Sequence, residues 1–314
     1  MSEYTVEVLP TDISAYRNGN TGIDYVHRID SGTPGPVVMV NALAHGNELC
    51  GACAVKLLFE EGIRPQRGSL VLGFANTAAY DSFDADNPTA SRFFDEDFNR
   101  LWDEDVLEGP RQSAELARAR EMREIVLAAD YLLDIHSMQG GSPALMLSGT
   151  AAKGRRLALR VGVPEYVVAD AGHAAGRRMR DHGDFALPEA AKTALLVECG
   201  QHWLQSTVDV AIWTTFRFLR ALDVIDAKTA APHIGPEPPA QRVVEVSGPV
   251  TIEHDGFQFA ADYQGMEVIP EAGTVIGHDG GKPIATPYDD CVLIMPSKRL
   301  LKGQSAVRFG RLVG

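Results

Sequence analysis

The sequence predicts an α/β fold, a mostly parallel sheet flanked by helices, with a small all-β domain following it. Three observations predict this. Short apolar runs alternate with amphipathic stretches over most of the chain, the pattern of strands joined by crossover helices. A Pro/Ala-rich stretch, Ala230-Ala231-Pro232-His233-Ile234-Gly235-Pro236-Glu237-Pro238-Pro239, then breaks the pattern. Beyond it the apolar runs become short and β-like, interrupted by Gly, Pro and Asp. With 314 residues, 45% hydrophobic and 23% charged, the chain can fill one large core and a smaller one. The expected division is 1–228, a linker over 229–240, and a β domain over 241–314.

Val37-Val38-Met39-Val40 follows the turn-forming Gly32-Thr33-Pro34-Gly35-Pro36 and reads as a buried strand leading to His45. Leu49, Ala52, Cys53, Lys56 and Leu57 recur at helical intervals and predict a helix over 48–61. Ser69–Phe74 is a second strand. Residues 76–105 are rich in Asp, Asn, Ser and Phe without periodicity, and long irregular segments in compact domains are often functional. An amphipathic helix over 112–129 leads into a strand at 131–135. Strands at 144–147, 166–169 and 194–197 and helices at 151–161 and 208–222 complete the pattern. In such sheets ligands sit beyond the carboxyl ends of the strands. His45, His136 and Glu198 all fall at or just past a predicted strand end.

The formal net charge of -13 argues against nucleic acid as a partner, and any arginine cluster must act locally against that field. No window approaches the ~18 consecutive apolar residues of a membrane span. Met1-Ser2-Glu3-Tyr4 lacks the basic and apolar regions of a signal peptide. Cys50, Cys53, Cys199 and Cys291 do not form a secreted disulfide framework, so a cytoplasmic protein is expected.

Four polar strings carry the chemistry. His45 and Glu48 in His45-Gly46-Asn47-Glu48 offer a nitrogen and a carboxylate, the donors a catalytic zinc takes alongside an open position. Alone, the spacing also fits a solvated helix N-terminus with a favourable Glu. In Asp134-Ile135-His136 the period of two puts Asp134 and His136 on one strand face, which suits a third ligand backed by a carboxylate, or a buried histidine with one hydrogen bond. Glu198 closes the apolar run Ala194-Leu195-Leu196-Val197, so it is either paired with an arginine or catalytic, as a general base acting on water. Arg92, Asn99 and Arg100 suit a carboxylate and an oxyanion, or surface pairing with Asp95, Glu96, Asp97 or Asp103. Cys50-Gly51-Ala52-Cys53 has thioredoxin spacing, but it lies within the helical register with Cys53 on the apolar side. It reads as two small buried hydrophobes.

Taken in order, His45-Gly46-Asn47-Glu48, then Ser91-Arg92 with Asp95, Asp97, Asn99 and Arg100, then Asp134 and His136, then Glu198 and Gly200, resemble the succinylglutamate desuccinylase/aspartoacylase family of carboxypeptidase A-like zinc hydrolases. The resemblance implies a carboxypeptidase-like mixed, mostly parallel sheet and a C-terminal β domain that helps enclose the site. It implies that His45, Glu48 and His136 hold one zinc per chain and that Glu198 is the general base. Arg92 matches the arginine that polarises the scissile carbonyl, and Asn99 and Arg100 match the pair that holds the substrate's α-carboxylate. The expected activity is zinc-dependent deacylation of a small carboxylate-bearing N-acyl amino acid, and an oligomer is a family expectation. Leu43-Ala44 before His45 departs from the family's Gly-x-His, and Phe98 stands where leucine is common. Arg177, Arg178 and Arg180 offer a second anionic grip or a solvated basic face.

Residues 271–277 and 284–293 look like a barrel-sandwich hybrid of the biotinyl/lipoyl type, but Lys282 lacks the flanks of a cofactor-carrying lysine and no carrier role is expected. The rival readings are a zinc carboxypeptidase acting on short peptides, a thiol redox protein using Cys50 and Cys53, and a metal-free binding scaffold.

Overall fold

A computed structural model of the chain describes residues 4–172 and 175–313. The amino-terminal reading rests largely on residues 1–3, which lie outside that range. The first half of the molecule contains β1 (Val26–Asp30), β2 (Val37–Ala42), α1 (Leu49–Glu60), β3 (Ser69–Phe74), α2 (Thr77–Asp81), α3 (Glu104–Glu108), α4 (Ala114–Ala128), β4 (Tyr131–Met138) and β5 (Leu145–Leu147). Then come α5 (Ala152–Val161), β6 (Tyr166–Ala169), β7 (Thr193–Gln201), α6 (Gln205–Ala221) and α7 (Ala227–Ala230). The C-terminal strands are β8 (Arg242–Thr251), β9 (Gln258–Phe259), β10 (Val268–Ile269), β11 (Val275–Asp279), β12 (Lys282–Ala285), β13 (Cys291–Ile294) and β14 (Ser305–Val313).

Eleven of these strands join one mixed sheet of order β1-β3-β2-β4-β7-β5-β6-β8-β14-β13-β10, and β12-β11-β9 form a second. β3, β2, β4 and β7 run parallel, β5 runs antiparallel to β7, and β8 pairs in parallel with β6. Alternation along each strand sends side chains to two layers. Val38, Val40, Leu70 and Leu72 pack with α1, α5 and α6 on one face. Met39, Val71 and Leu132 pack with Phe98, Trp102 and α4 on the other. Gly51 lets α1 lie close on the sheet, because a Cβ there would stand 2.9 Å from the Ala42 Cβ.

Most predicted elements recur within a residue or two, and several differences have a local cause. α4 starts at Ala114 because the Ser113 hydroxyl caps it, accepting the Leu116 amide at 2.9 Å. β4 and β7 run past their apolar cores because their ladder continues through His136↔Glu198 and Met138↔Gln201. His136 and Glu198 therefore lie inside strands rather than at their ends. β1, absent from the sequence reading, is an edge strand whose His27 and Arg28 mask it. Residues 229–233, the start of the expected linker, lie in α7 and a 3-10 turn docked on α6: Phe216 and His233 stack at 4.2 Å, and Arg217 Nε donates to the Ile234 carbonyl at 2.8 Å. Among the described residues no helix is long and apolar enough to cross a membrane.

Candidate metal centre and active site

The parallel order β2-β4-β7 brings the polar strings, which lie on the carboxyl-terminal halves of these strands or just beyond them, side by side. After β2 the backbone turns through Leu43, at φ 61°, to His45. Gly46 must be a glycine, since a Cβ would collide with the Ala79–Tyr80 backbone and the Ser91 carbonyl. Its amide donates to the Arg92 carbonyl at 3.0 Å, tying this loop to the arginine segment. Glu48 stands at the N-cap of α1.

His45, Glu48 and His136 are at most 3% exposed, and their donor atoms all lie within 4.8 Å of one another. His45 Nδ1 is 2.8 Å from Glu48 Oε1, and His136 Nδ1 is 2.9 Å from Glu48 Oε2. Each ring turns its other nitrogen to a carboxylate, His45 Nε2 to Asp97 at 2.8 Å and His136 Nε2 to Asp134 at 2.8 Å. Asp134 also accepts the Asn41 amide at 2.8 Å. Such outer carboxylates orient the rings so that both Nδ1 atoms face Glu48. Burial would raise the Glu48 carboxyl, yet His45 and His136 outweigh it and hold it well below its usual range. Glu48 Oε2 is buried without a hydrogen bond. Two inward Nδ1 atoms and this orphaned oxygen are the donor set of a divalent cation, so the group can hold one. A second group, Glu253, His254 and Asp279, lies towards the surface of the C-terminal region. There the Asp279 carboxylate is already used by the amides of Glu253 and His254.

Glu198 pairs in register with His136 across β4 and β7, and its Oε2 is buried without a hydrogen bond. Burial first, and the neighbouring Glu48 charge, raise its carboxyl to about 8 against the pull of His136 and Arg92. Arg92 reaches Asp97 Oδ2 at 3.1 Å and lies 3.6 Å from Glu48 Oε1, so it borders the metal group. Asn99 uses its Oδ1 to accept the Met179 amide at 2.9 Å, and its side-chain nitrogen carries no hydrogen bond among the described residues. Arg100 donates from Nη1 to the Asn99 carbonyl at 2.7 Å and makes no ion pair among the described residues. The structure thus gathers His45, Glu48, His136, Glu198 and Arg92 around one point, with Asn99 and Arg100 on the adjoining turn.

The three sequence-nominated arginines form neither an open grip nor a solvated face. Arg177 pairs with Asp103 at 2.9 Å. Arg178 grips Asp170 through both terminal nitrogens, at 3.0 and 2.7 Å, and Asp181 at 2.6 Å. Arg180 binds Asp181 and the carbonyls of Ser148 and Ala194. Two other roles escaped notice. Asp97 sits inside the motif string, but nothing there says that it orients His45. Glu115 is fully buried, and its carboxylate accepts the amides of Phe94, Asp95 and Glu96 at 2.6, 3.0 and 3.3 Å and the Asn76 side chain at 2.9 Å. It pins the segment carrying Arg92 from below, and in the sequence it is one more acid in a helical first turn. Cys50 is buried and Cys53 is only half-buried, and all four thiols are free. Burial pushes the Cys53 thiol up to about 11, which suits an inert side chain.

No curated protein sequence matches the chain. Solved structures share its fold. It is similar to succinylglutamate desuccinylase from Vibrio cholerae, at 18% identity over 92% of this chain and 86% of that one, with a TM-score of 0.69. It is similar to succinylglutamate desuccinylase from Vibrio parahaemolyticus, at 19% identity over 93% and 87%, with a TM-score of 0.66. It is also similar to murine aminoacylase 3, at 17% identity over 89% and 96%, with a TM-score of 0.60. The model of the succinylglutamate desuccinylase/aspartoacylase catalytic domain matches residues 34–222, more than half of the chain and the span that holds every group of the metal centre. The chain belongs to the succinylglutamate desuccinylase/aspartoacylase family, whose members are deacylases.

Proposed function

We propose that the chain is a zinc-dependent hydrolase of the amide bond of small N-acyl amino acids. One observation carries the reading: the Glu48 carboxylate lies between His45 Nδ1 and His136 Nδ1, with Glu198 beside His136 in register. His45, Glu48 and His136 would hold one zinc per chain, and the ion supplies Lewis acidity that polarises the acyl carbonyl and acidifies water. Glu198, buried and beside His136 in register, takes a proton from water and passes it to the leaving nitrogen. Arg92, steadied by Asp97, meets negative charge that develops on the carbonyl oxygen. The Asn99 amide nitrogen and the Arg100 guanidinium hold the α-carboxylate.

The division into 1–228, 229–240 and 241–314 belongs to the same reading, with the C-terminal strands as a wall that keeps the substrate small. The four free thiols support a cytoplasmic location. Metal analysis and an assay of N-acyl amino acids beside short peptides test the proposal. Roughly one zinc per chain is expected, with acyl amino acids cleaved in preference. A protein that takes up no metal, or that cleaves only peptides, overturns it.

A further inference from the structure

The two carboxylates behind the metal group are held by partners of different kinds. Asp97, behind His45, accepts Arg92 Nη2 at 3.1 Å and the Asn99 backbone amide at 2.9 Å. Asp134, behind His136, has one donor besides the imidazole, the Asn41 side-chain amide at 2.8 Å. Asn41 and Asp134 are direct partners on the parallel strands β2 and β4, and both are wholly buried. β2 itself runs on into the loop of His45. Asn41 thus joins the strand that leads to His45 with the strand that carries His136.

The surroundings of Asn41 are otherwise apolar. Its Oδ1 is buried without a hydrogen bond. Across the β2–β3 ladder it faces Gly73, where a Cβ would lie 3.3 Å from that oxygen and 3.4 and 3.7 Å from the methyls of Met39 and Met122. Gly73 leaves room for the amide but offers its oxygen no donor. A buried acceptor without a donor is costly, and in a folded protein it calls for a reason. The reason lies at the other end of the amide. Turned over, it would set Oδ1 against the Asp134 carboxylate; as placed, Nδ2 makes a charge-assisted bond to it. The amide also brings no charge. A lysine or arginine here would hold Asp134 too, but it would set a second cation near the metal group and draw off the negative charge that Asp134 lends to His136.

We propose that Asn41 is a positioning residue of the metal centre, acting through Asp134 to hold the His136 ring with Nδ1 towards the ion. It touches neither metal nor substrate. The inference rests on the metal reading above and extends it to a residue outside the four polar strings. With both oxygens engaged, the Asp134 carboxylate cannot turn about its own bond. Released on one side it turns, and the ring it steadies loses its aim.

Cobalt(II) binding to the metal-free protein, followed by visible absorption and by competition with a chelator, tests this without turnover. Asn41→Leu keeps the branched outline of the side chain and removes the donor. Its cobalt affinity is expected to fall about tenfold or more, with an altered visible spectrum. In an Asp134→Asn background, where the carboxylate is gone, the same substitution should lower affinity by less than about twofold. Should Asn41→Leu fail to fold, Asn41→Ala carries the same comparison. An unchanged affinity in the single variant overturns the proposal. So does an equal loss in both backgrounds, which is what a merely structural asparagine would give. A wild-type chain that binds no cobalt overturns the metal reading and this inference together. One that binds it equally with and without Asn41 loses the inference alone.

Discussion

His136 and Glu198 are direct partners on the parallel strands β4 and β7. One ladder therefore sets the distance between a nitrogen proposed to bind metal and the carboxyl proposed to work beside it. Rigid strands hold such spacings better than loops do. The loop-borne groups, His45 and Arg92, are tied instead by side-chain and backbone bonds to Asp97 and to each other's segments.

Glu198→Gln keeps the size of the side chain and removes its basicity. The variant is expected to retain metal while kcat falls by at least about 10²-fold. A variant with near-normal kcat would sink the general-base role.

Arg100→Ala removes a cation whose single hydrogen bond among the described residues is to its neighbour's carbonyl, so little of the fold depends on it. Substrate affinity should suffer most, with KM rising about tenfold or more and kcat changing less. An unchanged kcat/KM for a carboxylate substrate counts against the anchor.

Glu115→Gln turns one acceptor into a donor that must face backbone amides. A buried mismatch of this kind costs about 1–3 kcal/mol, and the Arg92 segment is expected to loosen with it. Denaturant midpoint and kcat/KM should both drop. A midpoint equal to wild type would show that the carboxylate is not what holds residues 94–96.

Leu43 adopts φ 61° while wholly buried, where the family resemblance places a glycine. Left-handed backbone costs a leucine about 1–2 kcal/mol, but loss of a buried leucine side chain costs about 2–5 kcal/mol. Burial wins, so Leu43→Gly is expected to destabilise the protein. A higher melting temperature in that variant would reverse the ranking.

His182 is buried with its ring against Trp102 and Nδ1 bonded to the Trp102 carbonyl at 2.9 Å. Burial lowers its basicity below the ordinary value of 6.5. Below that pH the unfolded chain takes up a proton that the folded form resists, so stability present above pH 6.5 is progressively lost as pH falls. Urea midpoints of metal-free protein between pH 7.5 and 5 should fall less steeply in His182→Gln than in wild type. Parallel slopes would remove His182 from the account.

The metal group was legible because ligation demands a few residue types at short, fixed spacings, as in His45 and Glu48 or Asp134 and His136. Its surroundings were not, because their partners are far away in the chain. Arg178 looks like part of a basic surface until Asp170 and Asp181 are placed around it. Glu115 reveals its work only when residues 94–96 fold over it. The core strands read well from apolar runs. β4 and β7 read short because the chemistry sits on the strands themselves, and His136 and Glu198 interrupt the very pattern that identifies a strand.

The parallel ladder between β6 and β8, from Tyr166↔Arg242 to Ala169↔Glu245, makes the C-terminal strands structurally indispensable to the rest of the chain. Cutting the chain before β8 would strip β6 of a neighbour and leave an unpaired edge of the kind that aggregates. An engineer seeking new specificity therefore cannot exchange residues 241–314 as a cassette. The productive route is substitution within strands that stay in place.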